Sequence, residues 1–347
     1  MITVTEEKIK AFLAMVSDSE SIVLITHFRP DGDALGSTYA LRTFLGDVCG
    51  RDCTVALSSP IPDSLLFIPS EADKASTLTW DEDSGMAAGT VGKADLIICL
   101  DCANLGRCDI LGDHAMTSGA RKILIDHHLN PDESQFDLVF SESDCVSSAS
   151  ELLYYILLAT PQVNGDAARI PASARRSLMA GMTTDTNNFA NSVHPTTLRM
   201  ASELIASGTD RDEVLGHIYN EYRENRFRAM GFLLSERLVV SDRGIAYIIV
   251  DQQTRDRFNL REGETEGIVN MPLGIKDVKI SIMLTEDGDK YRVSVRSKRG
   301  WSANNLAIKY FNGGGHEQAA GGRLYLGKDI ADSSELAGYL ERIISES

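Results

Sequence analysis

The stretch ITHFRPDGDALGS (25–37) places His27, Asp31 and Asp33 within seven residues at the end of an apolar run. Three further places put similar groups directly after apolar stretches: Asp101 after IICL, Asp126-His127-His128 after KILI, and Asp185 in GMTTDTNNF. Carboxylates this close repel one another unless something positive lies between them. Two divalent cations a few Å apart need several carboxylates, at least one of them bridging, with imidazoles completing the shell. Such a pair clamps a phosphoryl group and lowers the pKa of a bound water. Carboxylate and imidazole donors suit Mn2+, with Mg2+ or Co2+ as replacements.

Each place has a plainer reading. A lone Asp after a strand commonly caps a helix or makes a turn, which covers Asp101 and Asp185 taken singly. His-His pairs often serve packing or solvation. Asp31-Gly32-Asp33 also fits an ordinary turn, or a calcium loop, although no glutamate follows at the twelfth position of an EF-hand. The segment is neither a GxGxxG cofactor loop nor a P-loop, which would carry a lysine. What outweighs the plain readings is that four separate acidic or histidine positions fall on one edge of one sheet.

That edge follows from the elements. Residues 4–18 read as an amphipathic helix, with Ile9, Phe12, Leu13 and Val16 on one face. SIVLITH, DCTVALSS, KADLIICLDCAN and RKILIDHH read as strands, with helices ALGSTYALRTFLGDV and SSASELLYYILLAT among them. Strands apolar on both faces that alternate with helices imply a doubly wound parallel sheet, in which ligands bind outside the carboxyl ends of the strands. Residues 79–95 (TWDEDSGMAAGTVGKAD) read as a loose loop, and RDEVLGHIYNEYRENRFRAMGFLLSERL as one long connecting helix. Beyond it, IAYIIV, VKISIMLTED and KYRVSVRSK read as strands, followed by a helix ANNLAIKYF and the run NGGGHEQAAGG.

A chain of 347 residues suits two domains. Its net charge of −16 argues against a broad basic surface for duplex DNA, but not against a local pocket for a small anion with metal ions in it. The six cysteines are scattered, and the CxxC spacing of Cys99 and Cys102 has no second pair to complete a zinc site. Buried reduced thiols and a reducing compartment are expected. The N-terminal residues are partly acidic with no signal-like apolar region, and no apolar run approaches the ~20 residues of a membrane span. A cytoplasmic protein is the expectation.

HFRPDGDALGS, LDCAN, DHH and TDTNNF resemble the four motifs of the DHH phosphoesterase superfamily. That superfamily includes RecJ-type exonucleases, family II pyrophosphatases, exopolyphosphatases and cyclic-dinucleotide phosphodiesterases. VSVRSKRGWSANNLAIKYFNGGGHEQAAGG resembles the DHHA1 domain in its Arg-Ser and GGGH elements. The motifs run in order from about 22 to 322 and are most similar to the nano-RNase/pAp phosphatase group. This implies an α/β fold with a DHH catalytic domain at 1–205, a helical linker at 206–234 and a smaller DHHA1 substrate-binding domain at 235–347, with a mixed, mostly antiparallel sheet.

The resemblance also implies roles. His27 and Asp31 would hold a first metal ion, Asp33, His127 and Asp185 a second, and Asp101 would bridge them. Asp126 would orient His127 or support the fold. His128 would lie close to the scissile phosphate and assist proton transfer. Arg296, Ser297, Gly313, Gly314, Gly315 and His316 match the substrate-binding elements. Independently of the family, successive glycines let backbone N–H groups approach an anion, and an arginine forks onto a phosphate. Arg29 is open to a phosphate contact or a structural role. The segment WSANN departs from the Asp-Val that many relatives carry, and Trp301 is open to base stacking or to packing.

The implied function is dinuclear-metal hydrolysis of short linear oligonucleotides (two to five nucleotides, including pGpG and pApA) to mononucleotides, with either exonuclease polarity, and removal of the 3′-phosphate of pAp. A second domain closing over the cleft would favour such short substrates. A soluble cyclic-dinucleotide phosphodiesterase is the alternative, and a catalytically silent nucleotide-binding sensor is the alternative of another class. No long duplex and no membrane is implied as a partner, and a homodimer is a family-based expectation.

Overall fold

The computed structural model describes residues 4–346, so the outermost positions of the expected domain limits, residues 1–3 and 347, lie outside the described residues. The chain divides into two compact units between Glu221 and Tyr222.

The first unit runs α1 (Glu6–Asp18), β1 (Ile22–Thr26), α2 (Gly32–Asp47), β2 (Cys53–Leu57), α3 (Glu71–Ser76), β3 (Leu78–Thr79), α4 (Ser84–Gly92), β4 (Leu96–Leu100), α5 (Asp109–Thr117), β5 (Arg121–Asp126) and β6 (Leu138–Ser141). Four helices follow: α6 (Ala149–Leu158), α7 (Ala172–Asp185), α8 (Pro195–Ala206) and α9 (Arg211–Tyr219). The sheet is parallel throughout, in the order β3-β2-β1-β4-β5-β6. Period-2 alternation explains why its strands are apolar on both faces. Leu24, Ile98 and Ile125 join the core made with α1, α2, α6 and α7. Val23, Ile97 and Leu124 join the opposite core, with Ala87, Val91 and Leu111. The strand order reverses between β1 and β4, so the crevice at their carboxyl ends is the place where this architecture binds ligands.

Two local expectations are corrected. The stretch 79–95 is not a loose loop, because it contains α4. Asp83 caps that helix by accepting the Met86 N–H at 2.8 Å, and Ala87 and Val91, one turn apart, are buried. Its three glycines hid the i, i+4 apolar pair. The expected long connecting helix is interrupted after Tyr219. A second helix, α10 (Glu224–Phe232), begins beyond the break and ends in a π-helical turn, Leu233–Arg237.

The second unit continues with β7 (Leu238–Val240), β8 (Ile245–Val250), α11 (Gln252–Phe258), β9 (Ile280–Asp287), β10 (Lys290–Ser297), α12 (Ala303–Tyr310), β11 (Gly314–Gly315), β12 (Ala319–Tyr325) and α13 (Leu336–Glu346). Its sheet is ordered β11-β12-β10-β9-β8-β7 and is antiparallel except for the β8–β9 pair. The α/β fold with a doubly wound parallel sheet and a separate mixed sheet is therefore as the sequence implies. The six cysteines are free thiols, with Cys99, Cys102 and Cys108 buried. Among the described residues no helix is long and apolar enough to cross a membrane.

Candidate metal centre

The backbone carries the acidic and imidazole groups to one place. His27 follows the last residue of β1. Asp31 caps α2, its Oδ1 accepting the N–H groups of Asp33 and Ala34 at 3.0 Å each, which fixes the turn between the two carboxylates. Asp101 follows β4 in a left-handed backbone conformation (φ 56), while its N–H still donates to Ile125 in the neighbouring strand at 3.0 Å. Asp126 is the last residue of β5, with His127 and His128 after it, and Asp185 ends α7.

Asp185 reaches the sheet edge because α2 and α7 pack without intervening side chains. A Cβ on Gly36 would stand 2.6 Å from the Ser177 carbonyl oxygen and 2.9 Å from the Gly181 Cα. A Cβ on Gly181 would stand 2.0 Å from Ser150 Oγ and 2.9 Å from Asp33 Oδ1. Asp33 is also held from the amino end of α6. Its Oδ2 accepts the Ala149 N–H at 2.6 Å and its Oδ1 the Ser150 N–H at 2.9 Å.

Two triads result. Nε2 of His27 lies 3.8 Å from Asp31 Oδ1 and 3.7 Å from Asp101 Oδ2. Nε2 of His127 lies 3.6 Å from Asp33 Oδ2, 3.5 Å from Asp185 Oδ2 and 3.4 Å from Asp101 Oδ1. Asp101 thus turns one oxygen to each imidazole. His27/Asp31/Asp101 and Asp33/His127/Asp185 each gather their donor atoms within 4.8 Å, the span of a metal coordination shell. Asp101, Asp126 and His128 form a third such grouping.

The electrostatics report a deficit of positive charge. Burial, and then the charges of Asp33 and Asp31, push the Asp101 carboxyl well above its ordinary range. Burial pushes Asp185 and Asp33 up as well, against the pull of His127. Burial opposes protonation of His27, but Asp31 and Asp101 raise it overall, and burial opposes that of His127, which Asp185 and Asp33 likewise raise. Asp31, open to water on one side, goes the other way: the His27 contact outweighs its partial desolvation and lowers the carboxyl. Each of these raised groups is shifted towards its protonated form, which reduces the net negative charge of the cluster as cations would.

Divalent cations fit this donor set. Asp101 Oδ1 is buried, accepts no hydrogen bond and stands beside the His127 imidazole. An anionic oxygen left in that state is costly unless it has a cationic partner.

Of the two roles expected of Asp126, orienting His127 or supporting the fold, its hydrogen bonds fit the second, and they reach His128. Its Oδ1 lies 2.9 Å from His128 Nδ1, and its Oδ2 accepts the His128 N–H at 3.0 Å. Oδ1 also accepts the Ala103 N–H at 3.0 Å, which ties the turn after Asp101 to β5. Burial, the largest influence, holds the His128 imidazole down to about 4 despite that carboxylate. His128 is therefore neutral at pH 7, with Nδ1–H donating to Asp126.

The residues expected to bind substrate lie in the second unit. Arg296 is the penultimate residue of β10, before Ser297, and its guanidinium donates to the carbonyls of Val295 (3.0 Å) and Ala320 (3.4 Å). Ser297 is buried, and its hydroxyl donates to the Trp301 carbonyl at 2.6 Å. Gly313 packs against β12, where a Cβ would stand 1.9 Å from the Gly321 carbonyl oxygen. Gly314 and Gly315 form β11, and the His316 N–H donates to Ala319 at 2.8 Å. The glycine run thus also serves the close approach of β11, β12 and α12. Arg29 has a left-handed backbone (φ 55), and its N–H donates to Ser59 Oγ at 2.8 Å.

Sequence reasoning passed over several supporting residues. Gly181 and Ser150 set the seat of Asp33, and a glycine inside the helical run MAGM was the available signal, since such glycines usually have a packing reason. Arg107, on the turn after β4, opposes protonation of both His27 and His128. Nothing local in the sequence pairs it with them.

Residues 21–182 match the family model described as DHH family, N-terminal domain, and residues 243–342 match that of the DHHA1 domain. A Bacillus subtilis protein named bifunctional oligoribonuclease and PAP phosphatase NrnA is 30% identical over 311 residues, which cover 89% of this chain and 91% of that protein. A Streptococcus mutans protein named probable bifunctional oligoribonuclease and PAP phosphatase NrnA is 28% identical, covering 96% and 98% respectively. The crystal structure of an exopolyphosphatase-related protein from Bacteroides fragilis superposes with a TM-score of 0.88 at 32% identity, covering 100% of this chain and 98% of that one.

Proposed function

The chain belongs to the DHH/DHHA1 phosphoesterase family, and from that premise we propose that it hydrolyses short linear oligonucleotides of two to five nucleotides to mononucleotides and removes the 3′-phosphate of pAp. The observation that carries the reading is the division of Asp101 between His27 and His127, with Asp31 beside the first and Asp33 and Asp185 around the second. The names of the relatives, which couple oligoribonuclease with PAP phosphatase, support the choice of substrates.

In this reading His27 and Asp31 would hold one divalent ion, Asp33, His127 and Asp185 would hold a second, and Asp101 would serve both, with Mn2+ as the resident metal and Mg2+ or Co2+ as substitutes. Bound there, the ions supply Lewis-acid activation of water and stabilisation of charge on the phosphoryl oxygens. The protein's own groups do the rest. Asp126 fixes His128 through Nδ1, so proton exchange with substrate falls to Nε2. The α6 amide groups hold Asp33 rigidly, and Asp101 is buried, so the carboxylates are organised before substrate arrives. Arg296 and the 313–316 run are the substrate-binding elements of the second unit, with a homodimer as the assembly.

The test compares pAp, pGpG and cyclic-di-AMP in the presence of Mn2+, for the wild type and Asp101→Ala. Phosphate release from pAp and mononucleotide release from pGpG, both abolished in the variant, are expected. Turnover that survives the substitution sinks the dinuclear assignment. Preference for cyclic-di-AMP over linear dinucleotides makes the protein a cyclic-dinucleotide phosphodiesterase, and tight binding without turnover makes it a sensor.

A further inference from the structure

The chain has two tryptophans, and they differ in kind. Trp80 packs against the core of the first unit. Trp301 is 39% exposed, on the turn between β10 and α12. That turn is pinned on both sides. The Trp301 N–H donates to the Lys298 carbonyl at 3.1 Å, and its own carbonyl accepts from Ser297 Oγ at 2.6 Å. Ser302, the next residue, caps α12 through the Asn305 N–H at 3.1 Å and donates to Glu317 at 3.0 Å. The backbone that carries this exposed indole is thus tied to Ser297, one residue of the Arg-Ser element that the family resemblance marks for substrate.

Its surroundings are cationic in a chain of net charge −16. Lys279 Nζ stands 4.5 Å from the centre of the indole ring. The Lys298 N–H donates to the Lys279 carbonyl at 2.8 Å, and Lys298 Nζ donates to the carbonyls of Ile275 (2.9 Å) and Lys276 (3.1 Å). These bonds draw the segments 275–279 and 298–301 together. Lys276, Lys279 and Arg299 are exposed there, with Asp277 as the acidic residue of the same segment. An exposed indole with one ammonium over its ring and further exposed cations beside it is an arrangement suited to a single nucleic-acid strand, by stacking on a base and neutralising the neighbouring phosphates.

We propose that Trp301 is the base-stacking residue of the second unit, with Lys276, Lys279 and Arg299 contacting the phosphates of a short single strand. This rests on the oligonucleotide reading above and adds to it the element that tells a nucleotide from a bare phosphoester. Stacking holds the ground state and the transition state alike, so its loss raises KM and spares kcat.

The experiment uses the full chain with Mn2+ and follows hydrolysis of pApA and of an abasic dinucleotide. Trp301→Ala is expected to raise KM for pApA about tenfold, with kcat within about twofold of the wild type and the abasic substrate unaffected. Trp301→Phe, which keeps an aromatic face, is expected to restore most of the affinity. An unchanged KM for pApA, or an equal rise for both substrates, overturns the proposal. Trp80→Phe leaves Trp301 as the lone indole, and phosphorothioate pApA is expected to quench its emission saturably, with no quenching in Trp301→Phe. Absence of quenching in Trp80→Phe overturns the proposal whatever the hydrolytic result. Quenching without hydrolysis of any substrate upholds stacking and refutes the phosphoesterase reading instead. If Trp301→Ala does not fold, Lys276→Gln with Arg299→Gln takes its place. That pair is expected to lower the slope of log affinity against log salt by about 0.7 per lost phosphate contact, and an unchanged slope overturns the proposal.

Discussion

Asp126 Oδ1 lies 2.9 Å from His128 Nδ1, so the first residue of the Asp-His-His triplet holds the third and leaves the second to the carboxylates of Asp33, Asp101 and Asp185. Adjacent residues of one loop thereby have separate tasks. His127 turns Nε2 towards Asp33, Asp101 and Asp185, while His128 is oriented by a carboxylate that also anchors Ala103.

Asp126→Asn tests this. An amide accepts on one atom only, so the N–H of His128, its Nδ1–H and the Ala103 N–H can no longer all be satisfied. Activity is expected to fall about 10- to 100-fold through kcat, as for other groups that orient a reacting centre. Stability is expected to fall by about 1–3 kcal/mol. Steady-state kinetics beside thermal melts measure both, and wild-type kcat in a stable variant refutes the positioning role.

Asp101→Asn separates function from stability. Removing one of several crowded carboxylates relieves repulsion in the cation-free protein, so its melting temperature in EDTA is expected to rise by a few degrees, about 2–4 °C per kcal/mol. Hydrolysis is expected to fall by at least about 10²-fold. A lower melting temperature in EDTA contradicts the charge deficit at this carboxylate.

Gly181→Ala tests the seat of Asp33. The new methyl meets Ser150 Oγ and Asp33 Oδ1, and overpacking of this kind costs about 1–3 kcal/mol. Activity is expected to fall further than stability, because the displaced carboxylate belongs to the second triad. Ser150→Gly in the same chain removes one of the two clashing groups and is expected to recover part of both losses, a coupling that a double-mutant cycle reads directly.

The raised carboxyls and imidazoles fix a pH dependence. In the cation-free fold Asp33, Asp101 and Asp185, together with His27 and His127, hold protons to higher pH than they do unfolded. Their stabilisation is complete below the unfolded values and is lost as pH rises through the folded ones. Asp31 and Asp126 are lowered, and their stabilisation is lost only on acidification. The protein in EDTA is therefore expected to melt lower at pH 8 than at pH 6. Mn2+ binding must expel the protons, so it is expected to tighten from pH 6 to pH 8. Calorimetry in buffers of different ionisation enthalpy counts the protons released, and binding independent of pH contradicts the assignment.

The sequence disclosed the edge on which these groups gather because three continuous apolar strands end at Thr26, Leu100 and Asp126, and the polar residues there and just after have one address in a parallel sheet. It could not disclose the partner of Asp126, since adjacency in sequence does not say which way a turn folds back. Nor could it show that Gly36 and Gly181 meet, because they are far apart in the chain and each reads as an unfavourable residue inside its own helix. The loop read at 79–95 failed for the opposite reason: glycine content suggested disorder where an aspartate cap and two apolar residues were enough for a helix.

The two acidic side chains of one loop meet water very differently. Asp31 is 52% exposed, whereas Asp33, two residues later, is 1% exposed. On the proposed metal assignment Asp31 is the donor most open to water, and a chelator is expected to attack the His27/Asp31 side first. Demetallation should then run in two phases, with a half-loaded protein accumulating between them.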